Sequence, residues 1–346
     1  MRLSVLDLVP VRTDQSTSDA LAATTDLAQT ADRLGYTRYW LAEHHNMPAV
    51  AATSPPVLIA HLAAQTSQLR LGSGGVMLPN HAPLAVAEQF ALLEAAHPGR
   101  IDLGIGRAPG TDPVTRWVLR HGASATQEED PVARFPEYVQ DVAALMAPEG
   151  TALAIRGETF ELRATPRATS LPPLWLLGSS DYSARLAAEL GLPFVFAHHF
   201  AGQGTAEALA LYRERFRPSE VLDAPRTFLT VNAVVADTQE EAERLALPQL
   251  QAMVALRTGG VLRRLRIVEE AEAAPVADEH VYLLESMRDR WVIGDAKGAA
   301  REIADLAATY GVDEVMVHPV AGAFAGTPAD LSPAREATLT LLADAL

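Results

Sequence analysis

Short runs of β-branched and apolar residues alternate with helix-forming stretches along all 346 residues of the chain. Strands that alternate with helices form parallel sheets, because a parallel neighbour requires a long crossover connection. Eight such units make a (β/α)8 barrel, and the chain exceeds the roughly 250 residues of a plain barrel. The sequence therefore predicts one α/β domain over residues 1–346, a (β/α)8 TIM barrel with insertions. The predicted strands lie near residues 3–9, 37–42, 70–77, 100–106, 173–178, 193–197, 227–236 and 313–318.

Two segments lie outside this repeat. Residues 148–172 contain the alternating sequence TALAIRGETFELR, which predicts an extra hairpin outside the barrel wall. Residues 259–290 are charged and alanine-rich, and we expect a mobile excursion there. It is either a solvated loop or a lid over the pocket, and the sequence favours neither alternative.

Composition removes several classes of function. The chain has no cysteine, which excludes disulfides and thiolate chemistry and suits a cytoplasmic protein. A net charge of −15 disfavours nucleic acid and anionic membranes as partners. We expect the amino-terminal segment to be a first strand rather than a signal peptide, and no apolar run is long enough to span a membrane.

The second predicted strand ends in the sequence RYWLAEHHN. Because side chains alternate along a strand, His44 shares a face with Trp40, whereas His45 shares the opposite face with Glu43. Barrel enzymes place their chemistry at the carboxyl ends of the strands, so His44 is our candidate acid or base. A structural, hydrogen-bonded role for both histidines is the alternative. We expect Glu43 to be a buried partner for a backbone or arginine donor.

Glycines interrupt the third and fourth strands. Gly74 and Gly75 predict either a flat ligand close to the backbone or an ordinary bulge, and a cis peptide between them is conceivable. Gly104-Ile105-Gly106 begins a sequence close to a dinucleotide fingerprint, but the prolines at 109 and 113 argue against the helix that it needs. A turn then places Arg107 at the barrel mouth, where its guanidinium binds a phosphate or pairs with a carboxylate.

The fifth strand runs into Gly178-Ser179-Ser180 and then a helix. Free amides and hydroxyls at a helix N-terminus bind anions, and Ser180 and Ser183 are the candidate hydroxyls. The alternative is plain N-capping by Ser179 or Ser180.

Together these strand ends resemble the bacterial-luciferase-like flavin monooxygenases. The resemblance runs in order from residue 1 to about residue 200 and continues more weakly in the carboxyl-terminal third. The matching motifs are Glu43-His44-His45, Gly74-Gly75-Val76-Met77-Leu78-Pro79, Gly104-Ile105-Gly106-Arg107, and Ser180 through Gly191-Leu192-Pro193.

The resemblance implies FMN at the barrel mouth, with its ring against the third strand and a non-proline cis peptide at Gly74-Gly75. It implies that His44 is catalytic. We expect no metal site, because the ten histidines are scattered and make no strong ligand spacing. The residues implied to hold the cofactor are Gly74, Gly75, Val76, Met77, Arg107, Ala108, Gly178, Ser179, Ser180 and Ser183.

The resemblance further implies that reduced FMN and O2 form a C4a-hydroperoxide, which gives one oxygen atom to a small organic substrate. A separate flavin reductase would supply reduced FMN, and the protein would be a homodimer. Departures at Gly74-Gly75 and Gly178-Ser179 argue against light emission. We expect apolar pocket walls and leave the roles of His198 and His199 open between substrate contact and structure. The expected walls are Val76, Met77, Leu78, Phe194, Phe196 and Phe200.

Three alternatives remain. The first is a deazaflavin-dependent oxidoreductase of the same fold, and the second is a flavin-binding protein without catalysis. The third, a metal-dependent barrel hydrolase, is disfavoured because the first strand, LSVLDLV, lacks paired histidines.

Overall fold

The computed structural model describes residues 1–108, 110–120, 130–260 and 262–346. The strands are β1 (Arg2–Asp7), β2 (Arg38–Leu41), β3 (Arg70–Ser73), β4 (Val76–Met77), β5 (Ile101–Gly106), β6 (Thr151–Ile155), β7 (Glu158–Leu162), β8 (Leu174–Gly178), β9 (Phe194–Phe196), β10 (Leu229–Ala236), β11 (Val292–Asp295) and β12 (Glu314–Pro319). The helices are α1 (Thr17–Arg33), α2 (Pro55–Ala63), α3 (Pro83–Ala96), α4 (Pro113–Leu119), α5 (Phe135–Met146), α6 (Asp181–Leu190), α7 (His198–Ala201), α8 (Thr205–Arg215), α9 (Gln239–Arg257), α10 (Val268–Ala273), α11 (Val281–Arg288), α12 (Ala296–Tyr310) and α13 (Pro333–Ala345).

Eight parallel strand positions close into a barrel with helices around it. The order is β1, β2, β3, β5, β8, β9, β10 and β12, and β12 pairs again with β1. The third position consists of two pieces, because β3 pairs with β2 while β4 continues the pairing with β5. The predicted (β/α)8 barrel is therefore confirmed, and each of the eight predicted strands coincides with a barrel position.

One further strand was missed by the sequence analysis. β11 has only four residues and pairs with β10 over Ala233 to Ala236, whereas the pairing of β10 with β12 runs from Leu229 to Ala233. Its apolar run is too short to be distinguished from a loop by periodicity.

Capping residues set the boundaries of α1 and α3. Ser16 and Asp19 form a reciprocal capping box at the start of α1. Pro83 is the first residue of α3. Gly35 and Gly99 follow these two helices with positive φ angles of 76° and 75°, which glycine adopts without steric cost.

The expectation that no helix follows Gly104-Ile105-Gly106 is wrong. A helix does begin after the Gly104 to Gly110 region, since α4 starts at Pro113 with Asp112 as its N-cap. Proline is tolerated at the first helical position, where its missing N–H has no helical partner to lose. Pro109 lies outside the described residues.

The two extra segments have different structures. Residues 151–162 form the antiparallel pair β6–β7. Residues 262–290 contain α10 and α11, and they pack against α9 through the buried Val268 and Met287. Whether this second segment covers the pocket stays a prediction. No helix in the described part of the chain is both long and apolar enough to cross a membrane.

Charged side chains close the amino-terminal end of the barrel interior. Arg38 donates hydrogen bonds to Asp102 at 2.7 Å and to Glu314 at 2.6 Å, and Arg70 donates to Asp102 at 2.6 Å. Arg38, Asp102 and Glu314 are each at most 2% exposed. We call these four residues the floor.

An apolar plug lies above the floor. The rings of Trp40, Trp175 and Phe228 contact one another with centroid separations of 5.1 to 5.6 Å. Strand alternation sets these levels, since Trp40 lies two residues after Arg38 and Met316 two residues after Glu314. The space above the plug, at the carboxyl ends of the strands, is the mouth.

Candidate active site at the carboxyl ends of the strands

His44 occupies the mouth, on the face of β2 that the sequence predicts. It continues the inward series of Arg38 and Trp40, and its backbone N–H donates to the carbonyl of Ala52 at 2.8 Å. Its Nδ1 atom is buried and has no hydrogen-bond partner among the described residues. Burial lowers the pKa of His44, although the Glu43 carboxylate opposes that effect. The imidazole is therefore neutral near pH 7 and has an unused hydrogen-bonding atom.

Two further histidines, His199 after β9 and His318 on β12, lie in the mouth. The rings of His199 and His318 are 5.9 Å apart, edge to face. Burial lowers the pKa of His199 to about 4, and burial holds the pKa of His318 well below its ordinary value. Together with His44 we call them the mouth histidines, and all three are neutral at physiological pH.

The partners of His318 fix its tautomer. Asn232 Nδ2 donates to the carbonyl of His199 at 2.7 Å, so Asn232 Oδ1 must be the atom that faces His318 Nδ1 at 2.9 Å. An amide oxygen only accepts, which requires the proton of His318 on Nδ1. Nε2 of His318 is then an acceptor.

His199 has the same tautomer for a similar reason. Thr230 Oγ1 donates to the carbonyl of Phe196 at 3.1 Å, and it therefore accepts from His199 Nδ1 at 2.9 Å. The mouth thus contains two neutral imidazoles whose Nε2 atoms carry lone pairs.

His198 does not take part in this group. Its Nδ1 pairs with Thr205 Oγ1 at 2.7 Å, and its ring packs near Tyr310 on the helical side. The open alternative for the two histidines therefore divides between them: His198 is structural, whereas His199 lies in the mouth.

Glu43 connects the loop after β2 to the third strand. Its Oε2 accepts from the backbone N–H of Met77 at 2.9 Å, and its Oε1 lies 2.7 Å from Nε2 of both His45 and His81. Burial alone would raise the pKa of Glu43, but these hydrogen bonds lower it to about 2. The prediction of a buried carboxylate with a backbone donor is confirmed, whereas the sequence analysis did not single out His81.

Glu43, His45 and His81 are also the ligand types of a metal site, with their ligand atoms within 4.8 Å of one another. Neighbouring ligands of a tetrahedral zinc ion, each about 2 Å from the metal, would lie about 3.3 Å apart. The observed N···O separations of 2.7 Å are instead those of charge-assisted hydrogen bonds. This arrangement is a carboxylate that accepts from two imidazoles.

The break in the third strand contains a cis peptide bond between Gly74 and Gly75, as the resemblance implies. The absence of side chains at these glycines has a reason within the protein itself. A Cβ on Gly75 would lie 2.5 Å from Leu177 Cδ1, and one on Gly74 would lie 2.9 Å from Leu6 Cδ1. The Cβ on Gly75 would also lie 2.8 Å from the backbone oxygen of Gly104, so backbone packing accounts for that glycine, whereas at Gly74 the nearest obstacle is the end of a leucine side chain.

Arg107 follows β5 and stacks on Tyr182, with its guanidinium carbon 3.9 Å from the ring centre. It has no ion-pair partner among the described residues, so the carboxylate-paired alternative is not what the structure contains. Ala108 beside it is exposed.

The start of α6 lies next to this arginine. Ser180 is the N-cap residue of α6, but its side chain makes no capping hydrogen bond, unlike the alternative that the sequence left open. Ser183 is buried against Gly178, where a Cβ would collide with its hydroxyl. Ser179 is exposed. Asp181 is paired with Arg185 at 2.6 Å, which offsets its negative charge at this helix end.

The predicted pocket walls need correction. Val76, Leu78, Phe194 and Phe196 belong to the core between the barrel and its helices. The reason is alternation: on β9 the inward residue is Val195, which leaves Phe194 and Phe196 on the outer face. Of the expected walls only Met77 and Phe200 are accessible. Two leucines missed by the sequence analysis, Leu8 and Leu177, cover the plug from the mouth side.

The described residues suit a flavin phosphate and its ring. A phosphate monoester requires a cation and N–H or O–H donors, which Arg107 and the start of α6 provide. A planar ring with polar edges requires hydrogen-bonding atoms deeper in the mouth, and His44 Nδ1 is one without a partner in the described chain.

Comparisons with known proteins match most of the chain to one family. A family model described as luciferase-like monooxygenase matches residues 1–314. A luciferase-like monooxygenase of Escherichia coli K12 is 47% identical over 256 residues, which covers 74% of this chain and 73% of that protein. The N-acetyl-S-alkylcysteine monooxygenase of Bacillus subtilis strain 168 is 33% identical over 349 residues, with 100% and 98% coverage. The crystal structure of apo-MsnO8 superposes on this chain with a TM-score of 0.84 and 34% sequence identity. The match covers 99% of this chain and 98% of that one.

Proposed function

The chain belongs to the luciferase-like monooxygenase family, and from this premise we propose that it uses reduced FMN and O2 to oxidise a small organic substrate. The observation that carries the proposal is the buried Nδ1 of His44 in the mouth, which has no hydrogen-bond partner among the described residues. Reduced FMN, when bound, supplies the electrons with which O2 yields one oxygen atom for the substrate and one molecule of water.

In this proposal the phosphate lies between Arg107 and the first turn of α6, where Ser180 donates its hydroxyl. The backbone of Ala108 and the segment Gly178-Ser179 border the same site, and Ser183 supports it from the buried side. The backbone of Gly74-Gly75, Val76 and Met77 would border the ring. These residues would hold the cofactor at its charged end and leave its ring accessible.

His44 accepts or donates the single proton that the reaction requires. A neutral imidazole in a partly buried site accepts or donates a proton without the desolvation cost of a permanent charge. Met77, Leu8 and Leu177 provide apolar surface around it, which limits the access of water. We expect a small apolar or amphipathic substrate.

A separate flavin reductase is part of the proposal, since one barrel accounts for the described chain. A homodimer is a further part: Val57 on α2 and Leu92 on α3 are 66% and 56% exposed, and such apolar surface favours burial against a second copy. The cytoplasmic location stays a prediction from composition.

The experiment is to load the protein with FMN, reduce it anaerobically, admit O2, and follow the absorbance of oxidised flavin. We expect reoxidation to be delayed relative to free FMN, and the delay to shorten by at least tenfold in His44→Ala. The matched control is His198→Ala, which removes a neighbouring histidine outside the mouth.

Three results would argue for other functions. Reoxidation at the rate of free FMN in both wild type and His44→Ala would support a flavin-binding protein without catalysis. Preference for a reduced deazaflavin over reduced FMN in anaerobic titration would support the hydride-transfer alternative. Sustained turnover with FMN and NADH alone would remove the separate reductase.

A further inference from the structure

The stack of Arg107 on Tyr182 is the closest cation–aromatic contact in the described part of the chain. Its separation is 3.9 Å, whereas the other contacts of this kind range from 4.9 to 5.9 Å. The pair joins two elements that are distant in sequence, the loop after β5 and the first turn of α6. Both side chains are partly exposed, and Tyr182 also packs against the hydrophobic core.

The geometry of a guanidinium determines what this stack leaves free. Its five N–H groups lie in the plane of the group and point outward from its edges. The Tyr182 ring lies over the guanidinium carbon at 3.9 Å, and none of the five N–H groups donates to another described residue. Arg107 also has no carboxylate partner among the described residues, so its edge stays available for a ligand.

Neighbouring groups indicate what that ligand is. Ser180 leaves its hydroxyl uncommitted at the N-terminus of α6, and Asp181, the nearby carboxylate, is paired with Arg185. An arginine edge beside a helix N-terminus suits a doubly charged phosphate monoester, which accepts from both.

We propose that Tyr182 is a positioning residue for the phosphate of FMN: it holds the guanidinium of Arg107 by its face and thereby directs the N–H edge toward the N-terminus of α6. This inference rests on the proposed function, because FMN is the phosphate monoester in question. It adds a residue that neither the motif resemblance nor the sequence patterns single out.

The proposal makes a specific demand on the side chain. The ring is required and the hydroxyl is not, because the attraction comes from the aromatic face. Tyr182→Phe should therefore retain the effect, whereas Tyr182→Leu keeps apolar bulk without an aromatic face and should lose it. Loss of the aromatic contact lets the Arg107 side chain adopt other rotamers, which should weaken phosphate binding by about 3- to 30-fold.

The experiment measures the dissociation constants of FMN and of riboflavin, which lacks the phosphate, by quenching of flavin fluorescence. The variants are Tyr182→Leu, Tyr182→Phe, Arg107→Ala and the double variant Tyr182→Leu/Arg107→Ala. The matched control is Tyr138→Leu, since Tyr138 stacks on Arg134 at 5.1 Å, is also partly buried, and lies on α5.

We expect the wild type to bind FMN at least tenfold more tightly than riboflavin. Tyr182→Leu should weaken FMN binding by about 3- to 30-fold and change riboflavin binding by less than twofold. Tyr182→Phe and Tyr138→Leu should match the wild type. In the Arg107→Ala background, Tyr182→Leu should have less than a twofold further effect, because the residue acts through the arginine.

Equal losses of FMN and riboflavin binding in Tyr182→Leu would overturn the inference, since they would indicate a merely structural role. Unchanged FMN binding in Tyr182→Leu, together with a loss in Arg107→Ala, would also overturn it and leave the proposed function intact. A wild type that binds FMN no better than riboflavin would remove the phosphate site and, with it, both proposals. If Tyr182→Leu fails to fold, Tyr182→Met replaces it: a loss of FMN binding with unchanged riboflavin binding would support the inference, and unchanged FMN binding would overturn it.

Discussion

The floor and the mouth of this barrel are both built from ionisable side chains. The side chains of the floor are charged and paired with one another, whereas those of the mouth are neutral and leave a hydrogen-bonding atom unused in the described part of the chain. In the floor, Arg38 is paired with two carboxylates, and Arg38, Asp102 and Glu314 are almost completely buried. In the mouth, the histidines are neutral and His44 Nδ1 has no partner in the described chain. One end of the interior is complete by itself, whereas the other has hydrogen-bonding capacity that only a ligand or water can use.

This difference follows from a general property of buried polar groups. A buried charge is tolerated when it is paired, and its removal leaves its partners uncompensated. A buried neutral group with an unused atom costs less, and it becomes useful when a ligand arrives. We therefore assign stability to the floor and recognition to the mouth.

The largest effect that tests this division is expected in the floor. Arg38→Met should lower the free energy of unfolding by about 3 to 5 kcal/mol, because Glu314 loses its main partner in a buried site. Denaturant unfolding at pH 7 measures the change. His318→Asn, at the same depth on the mouth side of the plug, is the comparison and should cost less than about 1.5 kcal/mol. Equal costs at the two ends would break the division.

Acid should affect the mouth next. An unfolded histidine titrates near pH 6.5, whereas the pKa of His199 in the fold is about 4. The unfolded chain therefore binds more protons between these values, and stability falls as pH drops from 6.5 to 4. His199→Asn keeps the donor to Thr230 and should remove about 2 kcal/mol of this acid loss.

Urea unfolding at pH 7.5 and 4.5 gives the measurement for that acid effect. The exposed His61 offers a control, since His61→Asn should leave the wild-type difference between the two pH values unchanged. If the free energy of unfolding of His199→Asn falls between pH 7.5 and 4.5 by as much as that of the wild type, protonation of His199 does not cause the loss of stability.

Glu43 sharpens the comparison because it is a floor-like carboxylate at the mouth end. Glu43→Gln keeps the shape but supplies an N–H₂ group where two imidazoles and a backbone N–H donate, and it should cost about 1 to 3 kcal/mol. Thermal unfolding provides the readout, with Glu88→Gln as a control, since Glu88 on α3 is only partly buried and accepts a single hydrogen bond, from Thr165. Unchanged stability of Glu43→Gln would mean that the carboxylate does not stabilise the contact between the loop that contains His44 and β4.

The smallest expected effect separates two serines at helix starts. Ser16→Ala breaks a complete capping box and should cost about 1 kcal/mol, whereas Ser180→Ala should cost less than about 0.5 kcal/mol because its hydroxyl caps nothing. FMN affinity should respond in the opposite way, with a loss only in Ser180→Ala. Titration calorimetry measures the FMN affinity of both variants, and thermal unfolding measures their stability. A stability loss in Ser180→Ala equal to that in Ser16→Ala would contradict the prediction.

Periodicity predicted the barrel well because strand and helix patterns are local. The same alternation placed His44 inward, since its register with Trp40 depends on only four residues. It failed for Phe194 and Phe196, because the inward face of the three-residue strand β9 is set by pairing with β8 and β10.

Other features of the site depend on contacts between distant segments. The tautomer of His318 depends on Asn232, which lies opposite it in the register of β10 and β12. The stack of Tyr182 on Arg107 joins residues on either side of the β6–β7 insertion. The glycines at 74 and 75 were noticed from sequence, but their packing against Leu6 and Leu177 appears only when the barrel closes.

A crystal structure of the protein soaked with FMN tests the central claim most directly. The account predicts the phosphate between Arg107 and Ser180, with the ring in the mouth beside Gly74-Gly75 and within hydrogen-bonding reach of His44. Flavin bound on the outer helical surface, or a mouth that stays filled by its own side chains at saturating FMN, would contradict the account.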